Sequence, residues 1–272
     1  NIQGKGITLD AFVLRREPAP APADKPWPAS GPGCVVIQAE ACSRFQCREG
    51  TLPNSNRAAV WLAGDGAAVE SLTVLGQPQV NQGIAIRAPG QTGWVSGCRV
   101  RDVRVADCEG KQAENCGIYL RQVRHSRICG NELWGRTPLF LSGVRDTVFA
   151  SNRLVSVTRY GGNAEAAILG RTEPVERCVI ERNTVASPTG AEAGGPTARR
   201  LIWLSTGHGS VTYNWLAWNG TEAEGGAGQA RFGGVAGTDQ NVGEMILFEA
   251  NHRTMYFGPL AGADAQGVTL PL

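Results

Sequence analysis

Two arginines end short segments of the same form, Ile84-Ala85-Ile86-Arg87 and Ile118-Tyr119-Leu120-Arg121. If those segments are neighbouring strands, the two guanidinium groups lie side by side and can share one anion. A guanidinium is a planar fork that matches carboxylate or sulfate in two hydrogen bonds. The residue between each apolar pair makes a second row: Trp61, Ala85, Tyr119, Phe140, Ile168, Trp203 and Leu247. Aromatic faces in a row can stack on sugar rings. The position after each pair reads Ala63, Arg87, Arg121, Ser142, Gly170, Ser205 and Glu249, so a carboxylate ends the row that the arginines occupy. The chemistry on offer is anion pairing beside ring stacking. Trp61, Phe140, Trp203, Arg87 and Glu249 are the candidate substrate-binding residues. The other reading of the aromatic row is a stripe covered by loops or by a partner chain.

Histidine and cysteine add two further sets. His125 and His208 stand at the same place ahead of Asn131 and Asn214, and Asp146 and Arg177 take that place ahead of Asn152 and Asn183. His252 aligns with them. Such a row can hold a His–Asp pair or a metal between His208 and His252, or it is simply a turn that favours hydrogen-bonding side chains. The chain has eight Cys. Cys108 and Cys116 flank a polar loop, and Cys42 and Cys47 could close a small one. An even count fits disulfides in an oxidising compartment without requiring them. No Cys/His spacing of a zinc site occurs, so no metal is expected from these residues.

The elements that would position these groups recur. Residues 117–133, 139–154, 167–185 and 201–216 each carry a short alternating strand, a polar turn, a second short strand, an Asn and a third apolar pair. Weaker copies occupy 59–75, 83–105 and 245–260. The aligned asparagines, Asn131, Asn152, Asn183 and Asn214, are 21, 31 and 31 positions apart. That spacing suits one turn of a solenoid with loops of variable length. Alternation of period two gives each strand an inward and an outward face. Asn at the same turn of successive coils can stack as a ladder, its amide bonding the next coil, and it tolerates a left-handed backbone.

The pattern Gly-Ile-x-Leu followed by Ile-x-x-Asn-x-Leu at 117–133 resembles the right-handed parallel β-helix repeats of the pectate-lyase-like superfamily. The resemblance covers about residues 57–260. It implies an all-β, right-handed parallel β-helix with long loops inserted on one side. A β-sandwich would space its strands evenly and would lack the recurring Asn. The superfamily holds lyases, hydrolases, epimerases and non-catalytic surface proteins, so fold alone does not fix activity. The resemblance implies a polysaccharide partner, with a polysaccharide lyase or glycoside hydrolase as the enzymatic options. In several of its lyases an Arg or Lys takes the proton α to a uronate carboxylate. Arg121, with Tyr119 beside it and Arg87 one coil away, is the catalytic candidate on that pattern. Calcium enters only by the same analogy, because no carboxylate cluster stands on this face. The paired aspartates of β-helix hydrolases are also missing.

The rest of the sequence bounds the setting. Twenty-six basic residues oppose twenty-four acidic ones for a net charge of +2, which gives no general drive toward nucleic acid. The cations are nearly all Arg, which fits anion recognition or simply a GC-rich genome. No apolar run approaches the ~18 residues of a helical span, so no membrane insertion is expected. Gly numbers 36, charged residues are 18% and hydrophobic ones 42%. The glycines have no three-residue period, which excludes collagen. One β-helix domain over 1–272 is expected, a piece of a longer chain that is secreted, periplasmic or at the cell surface. Residues 17–33, rich in Pro and Ala, and 217–243, rich in Gly, read as long loops. No capping helix is visible, so further sequence or a partner chain is expected to cover the solenoid ends. Two functions compete: action on or binding of an acidic glycan, lyase-like on the superfamily pattern, and a non-catalytic structural or adhesin module.

Overall fold

Alternation in the longest first strands of the repeats becomes two buried faces. In Cys116–Arg124, Ile118 and Leu120 point into the main core while Tyr119 joins a separate apolar cluster on the other side. The computed structural model describes residues 2–14, 35–53, 58–75, 82–88, 93–108, 116–156, 166–187, 201–204 and 214. It gives the backbone alone for 41, for 107–108 and for the later strands as far as Gly267–Thr269. The chain is all-β, with no helix among the described residues.

Strands pair in parallel with their counterparts one repeat away. Ile84 lies opposite Val60 on one side and Ile118 on the other, and Ile118 lies opposite Leu139. Among the described residues, one sheet holds 17 strands and another ten. Stacking at one-repeat offsets is consistent with a β-solenoid in which each repeat is one tier. The inward column Cys47, Val69, Val100, Ile128, Phe149 and Ile180 runs through six tiers without exposure. Burial of such side chains stabilises by roughly 1.5–3 kcal/mol each.

Two corners turn every tier. The first runs through Arg44, Gly66, Gly97, His125, Asp146 and Arg177, all at positive φ. From Arg44 to Asp146 the N–H of that corner donates to a carbonyl one tier on, as from His125 to Arg145 (3.2 Å) and from Asp146 to Glu176 (3.0 Å). The second repeats the pattern through Glu49, Ser71, Asp102, Gly130, Ser151 and Arg182. Gly117 is needed for space rather than for φ: a Cβ there would meet the Pro138 carbonyl at 2.8 Å and Leu133 Cβ at 3.1 Å.

The asparagine ladder is present. The Oδ1 of Asn152 accepts from the Asn131 N–H (3.0 Å) and Nδ2 (2.9 Å), and its own Nδ2 donates to the Ile128 carbonyl (2.9 Å). Asn183 and Asn214 repeat the geometry, and all four amides are buried. Leu72 and Val103 take the same place in the two earlier tiers, as the backbone bonds from Arg104 and Glu132 show.

Three expectations are corrected. Leu169 rather than Ile168 lies opposite Phe140 and Trp203, and Ile168 points into the main core. The strand Ile246–Ala250 does not extend the aromatic face. It pairs in parallel with Asn214–Trp218 and antiparallel with Arg253–Phe257, so the 245–260 copy departs from the repeat. Cys42 and Cys47 are free thiols, because both point into the core from opposite sides of the Arg44 corner. Cys116 is buried and the Cys108 side chain lies outside the described residues, as do 17–33 and all of 217–243 except short strand backbones.

Burial pushes the Cys47, Cys98 and Cys178 thiols up to about 12. At pH 8 they are protonated and inaccessible, so an aromatic disulfide reagent should leave all three unmodified until guanidinium unfolds the chain. Among the described cysteines, half-buried Cys129 should react first. Peptide mapping after brief labelling reads this, and native labelling of the three would contradict their placement.

Candidate functional site

The outward face of the first strand in each tier forms an unbroken column: Gln38, Trp61, Ala85, Tyr119, Phe140, Leu169, Trp203 and Arg231. Parallel pairing sets adjacent members about 4.8 Å apart. Tyr119 and Phe140 stack with centroids 5.3 Å apart and planes 16° from parallel. Trp61 is 4% exposed, Tyr119 6% and Phe140 4%, and they join Ala58, Ala85, Cys116, Ala166 and Leu169 in a second apolar cluster. Trp203 is half-buried against it. Of the two readings of this row, the covered stripe is the one that fits: Trp61, Tyr119 and Phe140 are cluster residues, nearly closed to a sugar. The physical reason is that a row of aromatic surface this long is costly to leave in water.

The arginines stand at the edge of that cluster. Arg87 and Arg121 are in register on adjacent strands, as the sequence pattern predicts. The Arg87 guanidinium carbon lies 4.5 Å from the centre of the Trp61 ring, a cation–π contact that fixes the side chain. Arg121 pairs with Glu173 at 3.5 Å, both side chains being 31% exposed. A group engaged by its own chain's carboxylate is poorly placed to accept a substrate proton, and buried Tyr119 is no better placed. Glu173 went unnoticed in the sequence because the one-residue register error at 168–169 moved the following turn away from Arg121. Glu249 belongs elsewhere: its backbone pairs with Ala217 and Thr254 in the ten-stranded sheet, and its side chain lies outside the described residues.

The polar turn row is partly assembled. His125 Nδ1 is 4.0 Å from Asp146. Asp146 in turn accepts two hydrogen bonds from the Arg177 fork, at 2.7 and 2.8 Å. The Arg177 bonds hold the Asp146 carboxyl below the usual carboxylate range. His208 lies opposite Glu176 rather than Arg177, because the register skips a residue between Glu176 and Cys178. Its side chain and all of His252 are outside the described residues. Among the described residues, no group of three His, Cys, Asp or Glu is placed to hold a metal ion.

Among the candidates with described side chains, those left able to meet a ligand are cationic. Arg87 and Arg121 offer two neighbouring guanidinium groups over a closed aromatic floor. No family model matches the chain, and no curated protein matches it.

Proposed function

We propose that the chain is a right-handed parallel β-helix of the pectate-lyase-like kind that binds an acidic polysaccharide without cleaving it. The setting is secreted, periplasmic or at the cell surface. The observation that supports binding is the in-register pair Arg87 and Arg121, half-exposed and one strand spacing apart. Arg87 can take a ligand carboxylate directly, and Arg121 can share it where that carboxylate displaces Glu173. Engagement of Arg121 by Glu173 and burial of Tyr119 argue against the lyase step. A structural or adhesin role is the second reading, and it rests on the covered aromatic stripe.

Calorimetric titration with polygalacturonate, alginate and a glycosaminoglycan tests the reading. At least one polymer should bind, and R87Q/R121Q should weaken it by about tenfold or more, the loss of one or two charge-assisted hydrogen bonds. Absorbance near that of an unsaturated uronate should not rise on incubation. Its rise would restore the lyase, and failure of every polymer to bind would leave the structural module.

A further inference from the structure

We propose that the first corner carries a separate anion site, built from Arg99, Arg124 and Arg127 beside Trp94, for the carboxylate or sulfate groups of an acidic glycan. The proposal rests on the glycan-binding reading for its polymer class and on different residues for its geometry.

Arg99 and Arg127 are in register on adjacent strands, and both are exposed. Arg124 and Arg145 are in register in the adjoining column. Like charges directly opposite one another on a sheet are destabilising. Elsewhere this chain avoids the problem by placing a carboxylate between the arginines. Glu70 sits between Arg48 and Arg101, 3.7 Å from each. Glu132 sits between Arg104 (3.8 Å) and Arg153 (3.3 Å).

At the corner that device is missing. Among the described residues, Arg99, Arg124 and Arg127 have no carboxylate within ion-pair distance, and the carboxylates nearby are committed. Arg145 holds Glu176 at 2.8 Å, and Arg177 holds Asp146 with both arms of its fork. Asp65 accepts the Ser96 N–H at 2.7 Å. The exposed imidazole of His125 lies between Arg124 and Arg127 in the chain and faces Asp146. Trp94 braces the Arg124 end of the site, with the Arg145 guanidinium 4.8 Å and the Arg124 guanidinium 6.0 Å from its ring centre. A braced guanidinium loses less freedom when it binds. Three exposed forks with no carboxylate partner among the described residues are complementary to a chain bearing repeated anions. The near-neutral total charge argues for a local site rather than for general attraction to nucleic acid.

The test compares R99Q/R127Q with R87Q/R121Q and the unmodified chain, titrated with heparin and with polygalacturonate across a range of NaCl. The corner variant should bind at least one polymer about tenfold more weakly, with a shallower salt dependence, because two fewer cations are neutralised. Its thermal midpoint should stay level or rise, since a like-charge pair is removed. Unchanged affinity in R99Q/R127Q overturns this site. If R87Q/R121Q alone loses binding, the corner proposal falls and the face reading stands; the reverse result removes the face and keeps the corner. If neither polymer binds, both fall. Equal affinity for single-stranded DNA of matched charge would also overturn the proposal, by showing attraction to any polyanion.

Discussion

Asn152→Leu should destabilise the fold by about 3–5 kcal/mol, seen as a lower midpoint in guanidinium unfolding. Space is not the reason. Leu72 and Val103 hold the equivalent place in earlier tiers, so an apolar side chain fits there. The cost is in hydrogen bonds. Without the Asn152 amide, the buried Asn131 N–H loses its acceptor and the Ile128 carbonyl loses its donor. Asn131 Nδ2 and Asn183 Oδ1 each lose one of their partners as well. Each buried polar group left unmatched costs about 1–3 kcal/mol. A loss below about 1 kcal/mol would mean that water reaches the ladder and that its amides are not held as the distances indicate.

Phe149→Ala is expected to cost a similar amount, about 3–5 kcal/mol, for an unrelated reason. Phe149 is fully buried between Ile128 and Ile180 on the neighbouring tiers. Truncation removes most of its apolar surface and leaves a cavity whose walls are backbone-paired strands. Parallel strands tied on both sides relax little, so the hole stays open. The same unfolding experiment reads it, and a loss under about 1.5 kcal/mol would show that the tiers collapse to fill the space. The two changes lie three residues apart in the chain, yet one empties the core and the other unties the turn beside it.

Much of the stacking was legible because two independent signals coincide in it. Alternation put Ile118 and Leu120 inside, and the recurrent Asn aligned one tier with the next. Where either signal weakens, the reading fails. Ala166-Ala167-Ile168-Leu169 has no polar residue to mark the outer face, so the register there slipped by one. Ile246–Ala250 has a pattern that suits either sheet, and only its tertiary partner decides. The two cysteines of the Arg44 corner were close in sequence, but spacing does not report that both point inward. The aromatic row was legible as a row. Whether it lies open or closed depends on what packs over it, which a list of residues does not contain. The pairing of Arg121 with Glu173 was hidden behind the same slipped register. The corner arginines stood in plain view, and their meaning came only from the carboxylates that accompany other arginine pairs and are missing there.

The ladder has one more consequence. Its rungs are separated by 21 residues in one step and by 31 in the next two, yet the amide geometry is the same in each. Each Asn thus resets the alignment of the chain after a detour, whatever the length of that detour. A strand displaced by one residue would forfeit both amide bonds and reverse its faces. Insertions between rungs are consequently uncoupled from the scaffold. A chain built this way can acquire, lengthen or discard surface loops, and with them new recognition, while its frame returns to the same alignment at every rung.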